Sequence, residues 1–145
     1  MKHFVASHLK DMNRKTVYKL VSTVGEISKA EISRQTGISS PTVIKIVSFL
    51  LENGFVVEAG EGDTALGRKP QLLRFNPDAA FSIGAELDGG RIRLGLVNLL
   101  GEVKIIKKID VTQDFDNVIG NVMVSGIRDI VAEAGISEDK ILGIG

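Results

Sequence analysis

The chain has 145 residues, of which 43% are hydrophobic and 25% charged, which is enough apolar content for one packed domain or two small ones. It has no cysteine, no signal-peptide core and no apolar run near the roughly 18 to 20 residues of a membrane span, so disulfides and cysteine zinc sites are excluded and a soluble, cytoplasmic protein is expected. Its 18 basic and 18 acidic residues cancel, but residues 1–77 carry a net charge of +4 and residues 78–145 carry −4.

The first predicted element is a helix between Asn13 and Gly25. Its apolar residues recur with helical spacing and can form a core with the two helices that follow: Val17, Leu20, Val21 and Val24. The residues before this helix, which include His3 and His8, are expected to be mobile. We expect this histidine pair to bind no metal, and we expect no cofactor.

Residues 29–57 carry the most informative pattern, a short helix, a glycine turn and a second helix. Ser28 can cap the first helix, and Glu31 can reach back to complete a capping box. Gly37 can adopt the left-handed conformation that ends the helix, and Ile38 can fill the crevice between the helices. This arrangement is typical of a helix-turn-helix DNA reader, although a capped helical hairpin inside a core has the same spacing.

The second helix is predicted from Ser40 to Leu51, with Ser39 or Ser40 as its cap and Pro41 in its first turn. One apolar stripe should pack inward, and it consists of Val43, Val47, Leu50 and Leu51. The opposite side is left with Ser40, Thr42, Ile44, Lys45 and Ser48.

A wing of two strands is predicted after Gly54, which ends the second helix. Residues 55–58 read as the first strand, residues 60–67 as a polar turn and residues 71–75 as the returning strand. The segment Gly67-Arg68-Lys69-Pro70 follows the tip of this wing. Two adjacent cations held extended by a proline can enter the minor groove of A·T-rich DNA, and a solvated basic loop is the alternative interpretation.

These elements together predict an interface with double-stranded DNA. The second helix should lie in the major groove, with Ser39, Ser40, Thr42 and Lys45 near bases or phosphates and Ile44 against a thymine methyl group. Arg68 and Lys69 should reach the adjacent minor groove. Arg34 and Lys29 are candidates for phosphate contacts, unless they are merely solvated.

The second half of the chain begins after the turn signal Asn76-Pro77. Strands are predicted at 81–87, 91–98 and 102–110, joined by glycine turns as an antiparallel meander. A helix that ends at Gly135 should follow, capped by Asp114 or Asp116, and its apolar face consists of Val118, Ile119, Val122, Ile127, Ile130 and Val131. Residues 141–145 read as a fourth strand that the chain end cuts short, so the sheet is expected to be a fragment of a larger domain.

In this order, the segments TGISSPTVIKIVSFLLENGFV, GRKPQLLRFNP and IGAELDGGRIRLGLVNLLGEV resemble the N-terminal part of transcriptional regulators of the ROK family (repressors, open reading frames and kinases). The resemblance implies an α+β chain with a winged helix-turn-helix at 1–77 and a partial actin-like (ribonuclease H-like) sugar-kinase-type domain at 78–145, apparently truncated. It further implies a non-enzymatic, sequence-specific repressor of sugar-utilisation genes. Such a repressor acts as a homodimer or higher homo-oligomer on a palindromic operator and, in a full-length form, responds to a sugar.

The family's kinase branch carries D-I-G-G-T in the first hairpin, where this chain has Glu86-Leu87-Asp88-Gly89-Gly90. Asp88 would place a carboxylate against ATP phosphates and Gly90 removes a hydroxyl donor, which argues against ATP binding. Glu86 is either an acid at a strand end or a metal ligand. The family's sugar contacts, catalytic aspartate and zinc motif would lie beyond Gly145. The alternative functions are a sugar kinase with an added N-terminal module and a protein-interaction adaptor.

Overall fold

The computed structural model describes residues 2–63, 69–111 and 115–145. The chain divides into two compact units, Met1–Asn76 and Pro77–Gly145, which meet at the turn singled out from the sequence. Within the described ranges, no helix is both long enough and apolar enough to cross a membrane.

The first unit contains three helices and a small sheet, so the predicted winged helix-turn-helix is confirmed. The elements in chain order are α1 (Lys2–Thr23), β1 (Glu26–Ser28), α2 (Lys29–Thr36), α3 (Ser40–Glu52), β2 (Val56–Glu61) and β3 (Gln71–Phe75). The strand order in the sheet is β1-β3-β2, with both pairs antiparallel.

Two features of this unit go beyond the prediction. The two predicted wing strands are present as β2 and β3, and β1 adds a third strand to their sheet through the pairs Glu26–Arg74, Ile27–Leu73 and Ser28–Leu72. In addition, α1 begins at Lys2, 11 residues before the predicted start at Asn13. The side chains of His3 and His8 lie outside the described residues.

The helices and the wing share one core. Val17 and Val21 of α1 are fully buried, as predicted, and so are Ile32 of α2 and Leu73 of β3. Val24 was assigned wrongly to this core, because it follows the end of α1 and is exposed. The predicted Leu20 is half-buried.

Aromatic rings join α1 to the sheet strands. The ring of Tyr18 packs edge-on against Phe55 and Phe75, with ring centroids 6.0 Å and 5.3 Å apart. Such edge-to-face pairs add about 0.5–1.5 kcal/mol beyond the buried area. The wing is therefore held against the helices by packing as well as by its backbone hydrogen bonds.

The second unit is a four-stranded sheet with one long helix, in the predicted β-β-β-α-β order. Its elements are β4 (Phe81–Asp88), β5 (Arg91–Asn98), β6 (Val103–Asp110), α4 (Phe115–Glu133) and β7 (Ile141–Ile144), with 3₁₀ turns at Pro77–Ala79 and Glu138–Lys140. The strand order is β6-β5-β4-β7, in which the meander is antiparallel and β7 runs parallel to β4.

Alternate residues of β5 pack towards α4. Ile92, Leu94 and Leu96 are fully buried with Ile130 of α4. Gly126 allows the close approach, because a Cβ atom there would lie 2.7 Å from the Cδ1 atoms of Leu94 and Ile109. Val131 is buried too, Val122 and Ile127 are partly buried against this core, and Gly135 ends the helical segment with φ 63°. Asp114 lies outside the described residues, as do the side chains of Asp116, Val118 and Ile119.

A buried amide ties the start of this unit to the turn between β5 and β6. The Asn98 side chain donates to Asp78 and Glu102 at 2.9 Å and 2.8 Å, and its oxygen accepts from the backbone of Leu100 and Glu102. The hydrogen bond from Asn98, and then that from Lys104, lowers the pKa of Asp78. A buried amide with all these partners fixes one geometry for the turn.

Candidate nucleic-acid interface

The turn between α2 and α3 is built from local signals in the sequence. Ser28 caps α2, and its Oγ accepts from the Glu31 N–H at 3.2 Å, as predicted. Gly37 ends α2 with φ 69°, and its N–H donates to the Ser33 carbonyl at 3.0 Å. The left-handed conformation is one that glycine adopts without the steric cost imposed by a Cβ atom.

Two hydroxyl groups close this turn. The Ser33 hydroxyl donates to the Ile38 carbonyl at 2.6 Å. The Thr36 hydroxyl donates to the Ile32 carbonyl at 2.7 Å and accepts from the Ile38 N–H at 3.2 Å. Ile38, which lies in the turn that joins α2 to α3, is half-buried. The direction in which α3 leaves the turn is therefore fixed by hydrogen bonds on both sides of Gly37.

Ser39 caps α3 through its backbone. Its carbonyl accepts from the N–H groups of Thr42 and Val43 at 2.9 Å and 3.0 Å. Ser39 is therefore the cap, one of the two predicted residues, although its hydroxyl bonds the Thr42 hydroxyl at 3.0 Å and makes no cap bond to a backbone N–H. Pro41 occupies the first turn, as predicted.

The two sides of α3 differ in burial. Its buried stripe comprises Val43, Ile46, Val47 and Leu50, so Ile46 takes the place predicted for Leu51, which is half-buried. The first two turns present the predicted DNA-binding side chains: Ser39, Ser40, Ile44 and Lys45 are exposed and Thr42 is half-buried. Ile44 is 50% exposed, and an apolar side chain in the middle of a polar face suits contact with a base methyl group.

Arg34 has a partner of its own. Its Nε and terminal nitrogen donate to the two Glu31 carboxylate oxygens at 2.7 Å and 2.5 Å, and Gln35 donates to the same carboxylate. Glu31 therefore does not complete the expected capping box. The hydrogen bond from Arg34 and then that from Gln35 are the main causes that lower the Glu31 pKa from 4.5 to about 2. A phosphate that recruits Arg34 has to compete with this pair.

We expect the Glu31 pKa to rise towards 4.5 in the Arg34→Gln variant, while remaining below it because Gln35 still donates. A pKa that is lower in the folded chain means that the pair stabilises the fold above pH 4.5 and loses this effect as the pH falls towards 2. Side-chain carboxyl NMR titration measures the shift, with Lys15→Gln as a control that should leave it unchanged. An unaltered Glu31 pKa in Arg34→Gln would contradict this pairing.

The segment that joins β2 to β3 places Lys69 at the surface. Lys69 is exposed, and the carbonyl of the following Pro70 accepts from the Gly62 N–H at 2.8 Å. Arg68 and Gly67 lie outside the described residues. Of the two cations expected to enter the minor groove, the structure therefore locates only Lys69. Lys29 begins α2 and is half-buried.

One basic feature was missed in the sequence. Lys10 and Arg14 of α1 line a groove together with Thr42 and Lys45 of α3. The guanidinium carbon of Arg14 lies 4.0 Å from the centroid of the Phe49 ring. The spacing of four residues between Lys10 and Arg14 places two cations on one helix face and was the available signal, but Lys10 lies before the predicted start of the helix at Asn13.

The first hairpin of the second unit shows how its acids are placed. Gly89 and Gly90 form the β4–β5 turn with φ 50° and 89°. The Glu86 carboxylate accepts from Arg93 at 2.6 Å on the neighbouring strand. This pairing fits the interpretation of Glu86 as an acid at a strand end.

Known proteins resemble the chain in sequence and in structure. A family model described as winged helix-turn-helix DNA-binding matches residues 13–57. The xylose repressor of Bacillus subtilis (strain 168) is 26% identical over 137 residues, and that of Caldicellulosiruptor bescii is 31% identical over 139 residues. Each alignment covers 94% of this chain, with 36% and 35% of the respective relative.

A solved structure agrees with these relatives. It is a ROK family transcriptional regulator described as a homologue of the E. coli MLC protein, with a TM-score of 0.67 and 26% sequence identity over 94% of this chain and 35% of that one. The chain thus spans about a third of the length of the relatives that it matches. By its sequence and by its fold, the chain is similar to part of the transcriptional regulators of the ROK family.

Proposed function

We propose that this chain is the DNA-binding part of a transcriptional repressor of sugar-utilisation genes. The observation that carries the proposal is the exposed face of α3 from Ser39 to Lys45, held by a turn that is closed by its own hydrogen bonds. The relatives named xylose repressors support a role in repression and a sugar as the signal. They are named as repressors and not as enzymes, which favours this function over a sugar kinase.

In the proposed complex, α3 lies in the major groove of double-stranded DNA. Ser39, Ser40 and Thr42 contact bases or phosphates, Ile44 contacts a thymine methyl group, and Lys45 donates to a base edge or a phosphate. Arg68 and Lys69 enter the adjacent minor groove, and Arg34 contacts a phosphate if it is released from Glu31.

Two copies related by a twofold axis would read a palindromic operator, with half-sites about one helical turn or a multiple of it apart. The sugar effector is bound by the actin-like domain, whose opening strands form the second unit described above. Binding of the sugar then changes the affinity for the operator through the arrangement of the two DNA-binding units.

Selection of duplexes from a random library tests the proposal. The chain should enrich one sequence motif, with two copies in inverted orientation, and its affinity for the selected duplex should fall steeply as salt is raised. Absence of any salt-sensitive binding to DNA would leave the adaptor interpretation in its place. Titration of the chain with ATP by calorimetry tests the kinase alternative. A sugar kinase should bind ATP with millimolar or tighter affinity, whereas a repressor of the proposed kind should not.

A further inference from the structure

The groove between α1 and α3, called here the α1–α3 groove, collects basic side chains from both helices. Lys10 and Arg14 line it from α1, and Lys45 lines it from α3. Asn13 and Thr42 add polar groups that can donate hydrogen bonds. None of the described residues that line this groove carries a carboxylate.

No carboxylate in the described part of the chain neutralises the cations of the α1–α3 groove. Among the residues that the structure describes, Lys10, Arg14 and Lys45 form no ion pair, whereas Arg34 is paired with Glu31. Like charges that face one groove repel each other, and a bound anion relieves this repulsion. An anionic occupant is therefore favoured by the charge of the groove.

Arg14 is held in place for such an occupant. Its guanidinium group stacks on the face of Phe49, with 4.0 Å between the guanidinium carbon and the ring centroid. Stacking restricts the plane of the group and leaves the N–H donors at its edge available, and this edge matches the geometry of phosphate oxygens.

The position of the groove identifies the occupant. Thr42 and Lys45 belong both to this groove and to the face of α3 that we propose to read bases. A duplex that meets this face brings its sugar-phosphate backbone to the edge of the recognition helix. We propose that the α1–α3 groove binds phosphates of the DNA strand beside the base pairs read by α3, through Lys10, Asn13 and Arg14. This inference rests on the proposed function.

The test compares Lys10→Gln, Arg14→Gln and the double variant with Lys19→Gln. Lys19 is exposed and lies about 180° around α1 from Lys10, so it is a matched control. Each single variant should weaken binding about threefold to tenfold at low salt, to the selected duplex and to an unrelated duplex alike. The slope of log affinity against log salt should fall by about one per variant and by about two for the pair. Arg14→Lys should restore the slope, since the charge is kept.

The outcomes separate this inference from the function on which it rests. If the wild-type chain binds its selected duplex but the double variant keeps the full salt slope, the groove is not a phosphate site and the proposed function stands. A loss confined to the selected duplex would likewise overturn the inference, because phosphates carry no sequence information. A change of oligomeric mass in the double variant by sedimentation would assign the groove to a contact between copies. If the wild-type chain binds neither duplex, the proposed function fails, and the inference with it. Far-UV circular dichroism checks that the variants fold.

Discussion

Lys45→Ala should bind the selected duplex about 10 to 100 times more weakly than the wild-type chain, which corresponds to about 1–3 kcal/mol. Lys45 is exposed on the second turn of α3, beside Thr42 and Ile44, where a helix in the major groove meets base edges and phosphates. The substitution removes no buried contact, so the loss should be one of binding and not of folding. Fluorescence anisotropy at several salt concentrations measures it.

Lys19→Ala provides the control for this experiment. It removes the same charge from an exposed position on α1, and it should change the affinity little. The ratio of affinities for the selected and the unrelated duplex then decides what Lys45 contacts. A smaller ratio in Lys45→Ala indicates a base contact, and an unchanged ratio with a lower salt slope indicates a phosphate. Unaltered affinity and salt dependence together would refute the placement of α3.

Leu73→Ala should lower the free energy of unfolding of the first unit by about 2–5 kcal/mol. Leu73 is fully buried in β3, the central strand of the small sheet, and opposes Ile27 of β1 and Glu58 of β2. A domain is stabilised by about 5–15 kcal/mol in all, so a large share would be lost. Binding of the variant to DNA should weaken as the urea concentration approaches its lower unfolding midpoint.

Tyrosine fluorescence during urea unfolding measures this effect. Tyr18 is the only tyrosine, and the chain has no tryptophan. The Tyr18 ring contacts the rings of Phe55 and Phe75 in the first unit, so its fluorescence reports on the packing of this unit. Leu72→Ala is the matched control, since Leu72 is the neighbouring leucine on β3 and is only half-buried. Its effect should be clearly smaller. Equal losses from the two variants would mean that Leu73 does not occupy the core of this sheet.

The helix-turn-helix could be predicted because its signals are local. Ser28, Gly37 and Pro41 each act on the backbone within one helical turn, so their positions in the sequence determine both ends of α2 and the start of α3. The meander of the second unit was predictable for the same reason, since strand alternation and paired glycines are read over a few residues.

Features that depend on distant partners could not be predicted in this way. The three residues of β1 form a strand only because Ile27 pairs with Leu73, 46 residues further along the chain. Asn98 reads as an ordinary polar residue before a turn, and its burial depends on Asp78. Lys10 and Arg14 belong to the candidate interface only because α1 continues to Lys2 and lies beside α3. The ion pair between Arg34 and Glu31 is local, but helical spacing alone did not decide whether Glu31 would pair with Arg34 or cap the start of α2.

In the turn before α3, the residues that maintain the fold are different from the residues proposed to contact DNA. The residues that hold α3 in place are Ser33, Thr36 and Gly37, and they are distinct from the exposed residues at 40, 44 and 45. If the proposed function holds, we expect substitutions at those exposed positions to alter which operator is read without disturbing the scaffold. Duplicated genes of this kind could acquire new target sequences through single surface changes, each of which leaves a folded protein for selection to act on.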